Sequence, residues 1–64
     1  MEPDPAVGLT PRQREILAQV GYGLTDIQIA ERLEISPATV RKHLEQVYER
    51  LEVHTRMAAA AALR

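Results

Sequence analysis

Apolar residues recur along this chain at helical spacing in four segments. Ile16, Leu17 and Val20 form the first group, and Ile29, Ala30 and Leu33 the second. Val40, Leu44, Val47 and Leu51 follow at spacings of four, three and four, which draws a single stripe along an amphipathic helix of roughly 15 residues. The fourth segment runs through Met57, five consecutive alanines and Leu63, and alanine has the highest helix propensity of all residues.

Start and stop signals frame these segments. Thr10-Pro11-Arg12-Gln13 offers a hydroxyl N-cap, proline at the first helical position and a glutamine that can bond back to the cap. Thr25-Asp26-Ile27-Gln28 repeats that box, and Asp26 adds a negative charge near the positive end of the helix dipole. Gly21-Tyr22-Gly23 supplies backbone free enough to end the first helix in a left-handed cap, while Ser36-Pro37 stops one helix and starts the next. Ile35 before that cap and Val40 after it are spaced as a hydrophobic staple that sets the angle of entry into the third helix. Thr55 is the expected cap of the last helix. The pattern thus predicts a compact all-α fold of four helices, at roughly 11–21, 26–33, 37–51 and 56–63.

Composition narrows the class. At 64 residues the chain has room for one small domain close to the lower limit of independent stability. With only two aromatics, Tyr22 and Tyr48, its core must be built from Leu, Ile, Val and Ala. No cysteine is present, so neither a disulfide framework nor a thiolate metal site holds the fold. No apolar run approaches the roughly 18 residues of a membrane span, and no signal-peptide pattern occurs, so a cytoplasmic, nucleoid-associated location is expected. Residues 1–8 are Pro-rich and read as a disordered leader or linker end, with the domain proper at 9–64. The net charge is −1; with Glu2 and Asp4 of the leader set aside, eight basic residues face seven acidic ones. The balance is too even to identify a polyanionic partner, so any electrostatic case depends on where Arg41 and Lys42 point.

Two short helices joined by a tight turn, the second continuing with a free polar face, form the layout that places a recognition helix in the major groove of DNA. Asp26 to Glu45 is that unit, with small Ala30 at the crossing and Glu34 at the turn position often taken by glycine. The polar face of the third helix carries Ala38, Arg41, Lys42, Glu45, Gln46 and Glu49.

A closer match follows from particular residues. Leu9-Thr10-Pro11-Arg12 with Glu15-Ile16-Leu17, Gly23-Leu24-Thr25 with Ile29-Ala30-Glu31-Arg32-Leu33, and Ile35-Ser36 with Thr39-Val40-Arg41-Lys42-His43-Leu44, Tyr48 and Leu51 together resemble the LuxR (GerE) C-terminal domain. The resemblance spans Leu9 to Leu63. It implies a bacterial transcription regulator's output domain whose third helix reads double-stranded DNA and whose fourth helix makes a homodimer on a two-fold operator. On that likeness Arg41, Lys42 and Glu45 take base-facing sites, Thr39 is placed for a phosphate, and Ser36 and His43 join the DNA-binding set. Met57, Ala60, Ala61 and Arg64 would form the outer, dimerising stripe of the last helix, with Ala59 and Leu63 toward the core. RNA polymerase is a further partner that such regulators imply. The chain departs from the family at Ile27, where many relatives have lysine, at Glu52, where glycine is common, and at Glu45, where a basic or small polar residue is usual.

Other readings compete with this one. Glu45 either accepts from cytosine N4 or pairs with Arg41 one turn earlier. His43 and His54 lack the supporting cluster that a metal needs, and Gly21-Tyr22-Gly23 opens no strand-turn-helix phosphate loop. No nucleophile, base and orienting group combine, so the chain reads as a non-enzyme with no cofactor and no small-molecule ligand. The promoter-reading region of a sigma factor shares the Ile-Ala-Glu-Arg-Leu and Ser-Pro-Ala-Thr-Val pattern, but such regions usually finish near the recognition helix. A helical dimerisation or protein-interaction module without DNA binding is the alternative from another class.

Overall fold

The computed structural model describes residues 8–62, and all regular structure among them is helical. The elements are α1 (Pro11–Gly21), α2 (Asp26–Leu33), α3 (Pro37–Leu51) and α4 (Arg56–Ala61). The first three bounds are those the sequence predicts. The fourth helix is shorter than the expected 56–63: Ala62 caps it, and Leu63 and Arg64 lie outside the described residues. The leader expected at 1–8 also lies outside them, apart from Gly8.

Both capping boxes form in full. Thr10 and Thr25 accept from the N–H of Gln13 and Gln28, whose side-chain oxygens in turn accept from the threonine N–H groups at 3.0 and 2.9 Å. Ser36 and Thr55 cap α3 and α4 by accepting from Thr39 N–H and Ala58 N–H.

The helix ends share one device. After α1, the Gly23 N–H donates to the Val20 carbonyl and the Leu24 N–H to the Gln19 carbonyl. The same pair of bonds recurs from Glu34 and Ile35 after α2, and from Glu52 and Val53 after α3. This doubled closure requires a left-handed residue, followed by an apolar one that folds back on the helix. Leu24 and Ile35 pack on one core cluster and Val53 on the other, so each stop also anchors the next segment. Only the first uses glycine; Glu34 (φ 57) and Glu52 (φ 56) adopt left-handed backbone with a full side chain, a conformation that costs an L-residue roughly 1–2 kcal/mol.

Among the described residues every buried side chain is apolar. Ile16, Val20, Ile29, Ala30, Val40 and Leu44 join α1, α2 and α3, with Ile35 of the expected staple packed against them. Leu9, Leu17, Val47 and Ala59 join α1, α3 and α4. Six residues are too few for a stable isolated helix, so α4 persists through the burial of Ala59 and through the contacts of Arg56 described below. The first core cluster fixes α2 against α3, which determines the surface that α3 turns outward.

Candidate nucleic-acid interface

Burying Val40, Leu44 and Val47 on one side of α3 forces the other side into solvent. Arg41, Lys42 and Glu45 are all exposed there. Among the described residues no hydrogen bond or ion pair engages any of the three. The intrahelical Arg41–Glu45 pair considered from the sequence is therefore not formed, and the two cations and the carboxylate are left available to an external partner. Gln46 differs from the expectation of a free polar face: its Oε1 accepts from Gln13 Nε2 at 3.0 Å, tying α3 to α1.

At the start of α3 the Ser36 and Thr39 hydroxyls lie 2.8 Å apart, and Ser36 Oγ also accepts from the Thr39 N–H. One of the two hydroxyl protons is consumed in their mutual bond, which leaves the exposed pair one O–H to donate outward, the requirement for a phosphate contact. His43 is half-buried, and its Nδ1 is enclosed with no hydrogen-bond partner. Its ring thus belongs partly to the edge of the core, with only the remaining portion open to a partner. No group of three or more His, Cys, Asp or Glu residues gathers as a metal site among the described residues.

The sequence reasoning did not single out Arg56. Its guanidinium donates to Asp26 Oδ1 at 2.6 Å and to the Leu24 carbonyl at 2.7 Å, and both side chains of the ion pair are largely shielded from solvent. The bond clamps the start of α4 to the start of α2. The signal was out of reach of local pattern, because the partners lie 30 residues apart. Asp26, Ile27, Pro37, Arg41 and Arg56 line one cleft between the starts of α2 and α3. Ile27 is 61% exposed on its rim.

On α4, Met57 is 84% exposed and Ala61, one turn on, is exposed with it. Ala60 is half-buried and packs against the core rather than pointing wholly outward, while Ala59 is fully buried as expected. Met57, Ala60 and Ala61 border a mostly apolar groove with Val20, Gly21 and Gly23 at the end of α1, and Arg56 reaches its edge. Arg64, the other residue expected on this stripe, lies outside the described residues.

This helix-turn-helix, with a fourth helix clamped to it, coincides with a family match: residues 7–63 match the family described as bacterial regulatory proteins, luxR family. The chain belongs to the luxR family. Its relatives include a probable transcriptional regulatory protein, SgaR, of Hyphomicrobium methylovorum, 47% identical over 58 residues that cover 91% of this chain and 28% of that protein. The transcriptional regulatory protein LnrK of Bacillus subtilis is 41% identical over 92% of this chain and 27% of its own length. The nitrate/nitrite response regulator protein NarL of Escherichia coli is 38% identical over 81% of this chain and 24% of its own length. The chain thus spans about a quarter of the length of the relatives it matches. Membership in this family makes it a helix-turn-helix domain of transcription regulators and not an enzyme. No helix among the described residues is long and apolar enough to cross a membrane.

Proposed function

We propose that this domain binds double-stranded DNA in a sequence-dependent manner, with α3 in the major groove, as the output module of a larger transcription regulator. The observation that carries the reading is the exposure of Arg41, Lys42 and Glu45 without partners on the one face of α3 that the core does not claim. In this reading Arg41 and Lys42 meet guanine edges or phosphates, Glu45 accepts from cytosine, and the Ser36–Thr39 hydroxyl pair donates to the backbone. His43 contributes through the exposed part of its ring.

Two copies associate through the outer stripe of α4, chiefly Met57 and Ala61 with Arg64 beyond, and set their α3 helices in successive major grooves about 34 Å apart. Residues 9–64 act as the folded unit and the preceding residues as a linker end. We infer further that a signal-receiving portion precedes this domain in the whole regulator and that its output is directed at RNA polymerase; what supports the first is that the chain spans only about a quarter of the transcriptional regulatory proteins it matches.

Titration against random-sequence duplex at two salt concentrations tests the core of the proposal. Neutralising phosphates releases counterions, so affinity should fall steeply with salt, by close to one unit of log–log slope per contact. Changing Arg41 and Lys42 together to alanine should abolish that binding. A wild-type domain that binds no duplex at low salt would favour a protein-interaction module instead.

A further inference from the structure

The cleft between the starts of α2 and α3 holds a carboxylate, Asp26, on the same wall system as Arg41, the leading candidate for reading DNA. Opposite charges that share a cleft attract, and an exposed arginine beside an unsatisfied aspartate would be drawn into an ion pair. Yet Asp26 is bound to Arg56, and Arg41 remains unpaired. Arg56 is itself held in place by its second bond, to the Leu24 carbonyl, so the guanidinium spans the gap between α4 and the α1–α2 turn in one fixed orientation. Leu24, Thr25, Ile27 and Pro37 complete the side-chain lining; none carries a charge, and the Thr25 hydroxyl already accepts from the Gln28 N–H as the cap of α2.

We propose that Arg56 is a positioning residue for DNA recognition: by occupying the Asp26 carboxylate it keeps that charge from capturing Arg41, which stays free for the duplex. This inference rests on the DNA-binding reading above. It gives α4 a task at the DNA surface, because the helix that carries the proposed dimer stripe also delivers the cation that neutralises Asp26. Arg56 needs no contact with DNA to do this.

The test is a set of duplex titrations across salt with Arg56→Gln, Asp26→Asn/Arg56→Gln, Arg41→Ala and Arg41→Ala/Arg56→Gln, each variant checked for folding by circular dichroism. Arg56→Gln keeps a donor for the Leu24 carbonyl and removes the charge. It should weaken binding about tenfold and lower the log–log salt slope by about 0.9, the loss of one cation from the interface. On a duplex too short to seat two copies, where a loosened α4 stripe does not enter, adding Asp26→Asn should restore both quantities to within about twofold of wild type, although the ion pair is still missing.

The double-mutant cycle with Arg41 separates the proposal from a general effect of charge. If Arg41 is already captured, Arg41→Ala should cost less than about twofold in the Arg56→Gln background. An equal cost in both backgrounds, or a failed rescue by Asp26→Asn, would overturn the proposal. If Arg56→Gln does not fold, Arg56→Lys replaces it: an unchanged slope at reduced stability is expected, and a lowered slope would overturn the idea. Salt-insensitive wild-type binding, or Arg41→Ala equal to wild type, would instead bring down the DNA reading on which it stands.

Discussion

Asp26 Oδ1 accepts from Arg56 Nη1 at 2.6 Å, and this ion pair joins the first turn of the second helix to the first turn of the fourth. Asp26 is suited to its place twice over, since it also lies at the positive end of the α2 dipole. For α4 the bond is more consequential: in a six-residue helix with one fully buried side chain, it is the ion pair that ties the start of the helix to α2, beside the local Thr55 cap.

Arg56→Ala should therefore lower stability by about 1–2 kcal/mol, more than a fully exposed pair contributes, because a charge-assisted bond to the Leu24 carbonyl is lost with it. The loss should be local first. Amide hydrogen exchange should show the α4 amides losing protection while Ile29 and Val40 keep theirs. Uniform loss across all four helices would mean that α4 does not open separately.

The two left-handed glutamates give an opposite sign. Glu34 and Glu52 occupy positive-φ positions that Gly23 fills at the end of α1. Glu34→Gly and Glu52→Gly should each stabilise the domain by about 0.5–1 kcal/mol, the relief of backbone strain less the added entropy of glycine in the unfolded chain. Thermal unfolding would read this as a rise of several degrees for each in a domain of this size. A lowered melting temperature in either variant would show that its glutamate side chain makes a compensating contribution.

Much of this was legible in the sequence, and the reasons can be stated. The limits of α1, α2 and α3 follow from local chemistry, because Thr10, Thr25 and Ser36 cap within three residues of themselves and the stops close within five. The absence of glycine at 34 and 52 was visible; that the backbone turns left-handed there regardless was not, because the closing bonds and the burial behind Ile35 and Val53 impose it. Arg41, Lys42 and Glu45 were placed on the outer face by periodicity alone. Gln46 and Arg56 were missed as links between helices, since their partners Gln13 and Asp26 lie 33 and 30 residues away. Ala60 illustrates a further limit: Ala59 was expected toward the core, but that its neighbour Ala60 also packs there follows from how α4 lies on α1, which a run of alanines does not reveal.

Arg41 tests which term of recognition α3 supplies. Its side chain is exposed and without an internal partner, so Arg41→Ala removes little from the fold and its effect should be read almost wholly in binding. If it meets a guanine edge, the substitution should cost about 1–3 kcal/mol on the preferred operator and relax discrimination at one base pair. A loss equal on all duplexes, with the salt slope reduced by about one, would assign Arg41 to a phosphate instead.

Met57 addresses the association of two copies. A methionine 84% exposed beside exposed Ala61 and a shallow apolar groove presents flexible apolar surface with small neighbours that let another helix come close. Met57→Asp places a charge there without touching the side of α4 that packs on the core, Ala59 and Ala60, so the fold should be preserved. Self-association measured by sedimentation should weaken, and so should affinity for a duplex carrying two half-sites one helical turn apart. Affinity for a single half-site should stay within about twofold, because Met57 lies on α4 and is not one of the exposed side chains of α3. Sedimentation unchanged from wild type at concentrations where the wild type dimerises would remove α4 as the interface, and equal losses on one and two half-sites would place Met57 against DNA rather than against a second copy.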